Sequence, residues 1–275
     1  MNEAGVALMG AIAGLTIFLG LPVARMRFLG MRAQGFLNAT ATGVLIFLLV
    51  EILGHANGAV EDAMGGIRDG RSASFAVLAA VYLVGLAAGL LGLVWFNRAV
   101  VGRLRGRALR GPGAAVAARA PAVPGARGLA LMIALGLGLH NFSEGLAIGQ
   151  SAAAKALTLT GVLVIGFGLH NVTEGFGIAA PMASAEERPS WSFLAAAGLV
   201  GGGPTFVGAV IGFNVVATWA FVLFLALAAG ALLYVMYEMF GVCRRLTSPP
   251  VVAAGILAGF LVGFGSDLFL TFAGA

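Results

Sequence analysis

Two segments thirty residues apart carry the same polar residues in the same order: Gly136-Leu-Gly-Leu-His140-Asn141-Phe-Ser143-Glu144-Gly145 and Gly166-Phe-Gly-Leu-His170-Asn171-Val-Thr173-Glu174-Gly175. Eight of the thirteen positions from 136 to 148 are identical to those from 166 to 178, and two of the chain's three histidines fall in this repeat. A histidine and a glutamate spaced i, i+4 share one helix face, so each segment presents an imidazole and a carboxylate to the same point. Together they supply two nitrogens and two oxygens, a donor set that suits a divalent ion in tetrahedral coordination. Two carboxylates beside two neutral imidazoles carry two negative charges, which one dication cancels. Asn141 and Asn171 lie about 100° around each helix from the histidines, where their carbonyls could complete a neighbouring position or hold a ligand in place.

Other chemistries of these residue types need patterns that are missing. An intramembrane zinc protease needs His-Glu-x-x-His on one helix. A di-iron bundle uses Glu-x-x-His, whereas the order here is His-x-x-x-Glu. Haem ligation by two histidines would leave the paired glutamates unexplained. The lone Cys243 rules out an intrachain disulfide framework and a thiolate zinc cluster. A role as helix glue, or mutual neutralisation of His and Glu, does not need the same tetrad twice.

The elements that carry this repeat must lie in lipid. The 275 residues are 60% hydrophobic and only 10% charged, with a mean hydropathy of +1.01; a soluble chain carries roughly a quarter charged residues. The fold class expected is all-α, a polytopic membrane protein with eight transmembrane helices. The apolar runs are about Ala4–Val23, Gln34–Gly54, Ser74–Phe96, Gly128–Gln150, Leu157–Met182, Trp191–Phe213, Val215–Phe240 and Val251–Phe272, each about 20 residues or longer and so able to span. Met1, Asn2 and Glu3 form no basic segment, so the first run reads as a retained span rather than a cleaved signal.

Charge sets the direction. Thirteen arginines fall in the odd loops, against Arg68, Arg71 and Lys155 in the even ones. Odd loops therefore face the cytoplasm, and both termini are expected outside it. The net charge of +5 is thus an orientation signal; no nucleic-acid partner is expected. The single membrane domain divides into spans one to three (1–96), a basic cytoplasmic linker with Gly-Pro-Gly at 111–113 (97–127), and spans four to eight (128–275). The linker is placed to touch anionic lipid. His140 lies thirteen residues from Arg127, about 20 Å at the helical rise. His170 lies fifteen residues from Lys155, about 22 Å. The repeat sits on consecutive spans, so its halves cross in opposite directions and meet near mid-membrane. That is an inverted-repeat organisation around spans four and five, as in transporters with midplane sites.

His140-Asn-Phe-Ser-Glu-Gly and His170-Asn-Val-Thr-Glu-Gly resemble the signature fourth and fifth spans of the ZIP (Zrt-/Irt-like) metal transporters, and the eight spans and basic third loop extend that resemblance along the chain. It implies uptake of a divalent transition metal, commonly Zn²⁺, into the cytoplasm across the inner (plasma) membrane. It also implies a site built by His140, Asn141, Glu144, His170, Asn171 and Glu174, often holding two metals, with spans one, four, five and six sliding against the rest. No prosthetic group is implied; the metal is cargo. The family usually has proline where this chain has Ser143 and Thr173, and often Glu-Pro in span six where this chain has Gly203-Pro204. One strong metal position with at most a weak second is therefore expected, and the Gly201-Gly-Gly-Pro204 segment should break its helix and expose carbonyls.

Outside the repeat, Glu51 and His55 share the i, i+4 spacing near the end of span two, as an entry site or as a hydrated helix end. Glu238, about 9 Å inside Arg244, is a candidate exit ligand or a partner of Arg244 or Arg245. Partners expected are the metal ion and the bilayer; a homodimer is one possible assembly that no residue selects. The competing class is a metal-dependent intramembrane hydrolase using the same tetrad with an open position for water. It would need a further acid–base carboxylate, and no convincing one is found.

Overall fold

In hydrocarbon each backbone N–H and C=O must find its partner within the segment, and a helix meets that demand. The computed structural model describes residues 2–26, 30–69, 72–108, 125–183, 188–215 and 217–273, and all regular structure among them is helical. Among the described residues, eight helices are long and apolar enough to cross a membrane. They are α1 (Glu3–Arg25), α2 (Met31–Gly65), α3 (Ser72–Ala108), α4 (Ala126–Ala153), α5 (Leu157–Ala183), α6 (Trp191–Asn214), α7 (Thr218–Leu246) and α8 (Pro249–Ala273).

Four local features bear on the repeat. Asn2 caps α1 by accepting from Gly5 N at 3.0 Å, and the helix breaks at Thr16 before tightening into a last 3-10 turn, Leu21–Arg25. At that break Ala13 O accepts from Thr16 Oγ1 at 2.6 Å. The α4–α5 connection is only residues 154–156 long, so the two helices run in opposite directions. Lys155 takes a left-handed φ of 60°, and Ala156 N donates to Ser151 O and Lys155 N to Ala152 O. This is the Schellman closure usually made with glycine. Ser151 and Thr160 hydroxyls, 2.9 Å apart, fasten the hairpin across its mouth.

The structure departs from the sequence reading in three places. α2 continues past Gly54 to Gly65, because Glu51, His55 and Asn57 lower hydropathy without breaking a helix. Glu51 and His55 consequently sit within the helix, not at its hydrated end. α3 runs on to Ala108, so the first part of the 97–127 linker is helical; residues 109–124, with the Gly-Pro-Gly and both later prolines, lie outside the described residues. α6 passes through Gly201-Gly-Gly-Pro204 unbroken, since Pro204 removes only one backbone donor and the surrounding helices pack the segment.

Glycines sort the eight helices into two bodies. Gly14 meets Gly202, Gly145 meets Thr205, Gly208 meets Phe142 and Gly175 meets Ile17, joining α1, α4, α5 and α6. Gly43 meets Ile256, Gly259 meets Thr40, Gly89 meets Leu227 and Gly35 meets Thr247, joining α2, α3, α7 and α8. Every described glycine at which an added Cβ would come within 3.0 Å of another helix makes that approach inside one of these groups. Across the divide the closest approaches are 3.4 Å, Gly136 to Ala231, and 3.9 Å, Gly177 to Leu45. Small residues let backbones touch; between the bodies, larger side chains such as Leu45, Leu48, Met132, Ile178 and Leu232 pack instead. Arg25 stacks 4.7 Å from the Trp191 ring and donates to Pro189 O, which ties α1 to the start of α6.

Candidate metal centre

The i, i+4 spacing does what helical geometry requires. His140 Nε2 stands 3.3 Å from Glu144 Oε1 on its own helix and 4.0 Å from Glu174 Oε1 on the facing one. The His140 and His170 rings lie 6.1 Å apart. One ligand atom each from His140, His170 and Glu174 fall within 4.8 Å of one another. An ion about 2 Å from each donor holds tetrahedral donors roughly 3.3 Å apart, so an inward shift of about an ångström closes the set.

All four side chains are buried, Glu174 completely. His140 Nδ1 and Nε2, His170 Nδ1, both Glu144 oxygens and Glu174 Oε1 have no hydrogen-bond partner. Leaving a buried polar atom unmatched costs about 1–3 kcal/mol, and more if it is charged. The polypeptide alone leaves this cluster unsatisfied; a dication offers what these atoms lack.

The two asparagines stand behind the cluster. Asn141 Nδ2 faces Glu174 Oε2 at 2.6 Å, Asn171 Oδ1 at 2.8 Å and Gly201 O at 3.0 Å. Three acceptors around one nitrogen fix which end of the amide is which. Asn171 Nδ2 donates to Ala13 O at 3.0 Å, so the break in α1 supplies the carbonyl that pins α5. Asn171 is thus engaged on both its atoms; Asn141 Oδ1 is buried without a partner. Ser143 and Thr173 bond back to His140 O and His170 O, each at 2.7 Å. The contribution of Ala13 was invisible in the sequence, because a backbone carbonyl carries no residue signature; carbonyls near Gly201 were expected from a broken helix, whereas Gly201 O faces Asn141 from an intact one.

On the side of the cluster facing the Gly65 end of α2 lies a cavity of about 160 Å³ lined by Glu51, His55, His140, Glu144, Phe167 and Phe221, among others. Toward the Leu246 end of α7, Leu48, Met132, Ile133, Ile178, Leu232 and Met239 pack almost wholly buried in one apolar cluster. The centre therefore adjoins a cavity on the side of the Gly65 end of α2 and an apolar cluster on the other. Glu238 is not brought to it: its Oε1 accepts from Tyr234 Oη at 2.7 Å, and that hydroxyl accepts from Asn97 Nδ2, tying α7 to α3. Gly203 lines an apolar groove with Phe142 and Phe224, and a Cβ there would meet nothing within 4 Å.

The model of the ZIP zinc transporter family matches residues 114–267, more than half of the chain and inclusive of both halves of the repeat. None of the curated proteins compared with it matches the chain. Members of that family are transporters rather than enzymes, which at the family level favours transport over the hydrolase reading. A paired His/Glu cluster buried where two antiparallel spans meet, within a match of that extent, shows that this protein belongs to the ZIP zinc transporter family and carries divalent metal ions across a membrane.

Proposed function

We propose that the protein takes up Zn²⁺ into the cytoplasm through the α4–α5 centre, by sliding of one four-helix body against the other. The unsatisfied His140, His170, Glu144 and Glu174 donors carry the reading. His140, His170 and Glu174 bind the ion and Glu144 closes the set. Asn141 holds Glu174 in place, and Asn171 anchors α5 to α1. Imidazole nitrogens beside carboxylate oxygens suit Zn²⁺ better than Mg²⁺ or Ca²⁺, and Mn²⁺, Fe²⁺, Co²⁺ and Cd²⁺ share much of that chemistry.

Direction follows from charge. Arginines concentrate at the Leu246 end, which supports a cytoplasmic orientation for that end and an outward-facing cavity. In this arrangement the centre faces outward and the apolar cluster beneath it is the closed gate. The close glycine approaches among the described residues lie within each body, whereas larger side chains pack between the two. Movement of α1, α4, α5 and α6 carries both halves of the tetrad together, so bound metal travels without losing its ligands. The membrane potential and the metal gradient supply the drive, since the sequence holds no nucleotide-binding P-loop. Glu238 serves as a brace through Tyr234.

The test is Zn²⁺ uptake into proteoliposomes containing the full chain. The combined substitution Glu144→Ala and Glu174→Ala abolishes uptake; a rate equal to that of the unaltered protein would reject the centre. Competition by the other dications ranks them.

A further inference from the structure

The cavity beside the centre is walled by both bodies. Glu51 and His55 come from α2, and Phe221 and Leu225 from α7; His140, Glu144 and Ala147 come from α4, and Leu163 and Phe167 from α5. Its polar residues form a gradient of burial: His55 is exposed, Glu51 is half-buried and Glu144 is buried. Glu51 Oε2 and both Glu144 oxygens are shielded from solvent without a hydrogen-bond partner, and Glu51 lies in electrostatic reach of His140, Glu144 and Asp267. The remaining lining is His140, Ser143 and apolar side chains. At roughly 30 Å³ for each water, the space takes an ion with several waters rather than a bare one.

From this geometry we infer that Glu51, His55 and Glu144 form a second metal position, a staging site where a partly hydrated dication exchanges waters for protein ligands before entering the central cluster. The inference rests on the transport reading above. His55 meets the hydrated ion at the mouth, Glu51 replaces a further water, and Glu144 passes the ion to His140, 3.3 Å from its own carboxylate. Partial hydration fits the wider spacing of these ligands, which do not close into a three-donor cluster as His140, His170 and Glu174 do. Because Glu51 and His55 belong to one body and Glu144 to the other, sliding of α4 pulls the position apart. It can be filled only from the outer side, so a second ion does not follow the first inward until the bodies return.

Two measurements on the purified full chain decide it. Zn²⁺ stoichiometry by equilibrium dialysis is expected near two per chain for the unaltered protein and near one for Glu51→Gln combined with His55→Asn. In proteoliposomes that double variant raises the KM for Zn²⁺ at least tenfold while retaining turnover at saturation, and Glu51→Asp alone keeps most of the affinity. Unchanged KM and stoichiometry in the double variant, with uptake still abolished by Glu144→Ala plus Glu174→Ala, overturn the staging site and leave the central site standing. An unaltered chain that neither binds nor moves Zn²⁺ overturns both. Loss of stoichiometry together with a collapse of the thermal unfolding transition in the double variant, absent in Glu51→Asp with normal KM, assigns the pair a structural role and also overturns the proposal.

Discussion

His140 shows how many supports stand behind one side chain of the buried cluster. Its ring is useful because Glu174 approaches from the other helix, and Glu174 is held there by Asn141, whose amide nitrogen also faces Asn171 and Gly201. Partners that orient a metal ligand typically carry about 10–100-fold in affinity. Asn141→Ala should therefore weaken Zn²⁺ binding by about 10–100-fold, with Glu174→Gln weakening it further; equal affinities in a competition assay against a chelating dye would show that Asn141 is a bystander. Protons compete with metal for imidazole nitrogen and carboxylate oxygen. The sign is fixed: lowering pH protonates ligands, so the KM for Zn²⁺ rises as pH falls. Initial uptake rates over a pH series, without a proton gradient, measure it, and a flat KM would contradict ligation by His140 and His170. The identities of these side chains were legible in the sequence, since the repeat and its spacing predicted the shared face. The asparagines' orientation was not, because it depends on carbonyls from α1 and α6 that no local pattern specifies.

Among the helices, two neighbouring glycines on α5 make contrasting demands. A Cβ on Gly175 would collide with the backbone of Ile17, where nothing flexible can yield, whereas a Cβ on Gly177 would rest 3.9 Å from Leu45 Cδ2. Gly175→Ala should destabilise by about 1–3 kcal/mol, the usual range for overpacking. Gly177→Ala should be neutral or stabilising by up to about 1 kcal/mol, since alanine is the better helix former. Thermal unfolding in detergent separates them; matching transitions would mean that α1 and α5 are not in backbone contact. The apolar runs located all eight helices, because hydropathy alone decides what enters lipid. They failed at the Gly65 end of α2 and at the Ala108 end of α3, where a helix outlasts its hydrophobic stretch, and at Gly201–Pro204, where packing overrides two poor helix formers.

For the molecule as a whole, the division into two bodies predicts that locking them together stops transport. Gly136 on α4 and Ala231 on α7 face each other across the divide, with a Cβ on Gly136 lying 3.4 Å from that of Ala231, close to the separation of about 3.5–4.5 Å that a disulfide spans. With Cys243, the chain's one cysteine, replaced by alanine, Gly136→Cys plus Ala231→Cys should transport when reduced and arrest when oxidised. Undiminished uptake by the oxidised protein would show that the bodies need not move. Residue chemistry and hydropathy were sufficient to place this chain in the membrane, count its spans and single out the repeat whose His140, His170 and Glu174 meet in one buried cluster, because those properties depend on composition and on spacing along one helix. The resemblance implied a grouping of spans one, four, five and six, the same four helices that close glycine approaches join. Which carbonyls brace the asparagines, which side of the centre is open, and that Glu51 on α2 shares a cavity with Glu144 on α4 were decided only when the helices packed, since each depends on atoms brought together from distant parts of the chain.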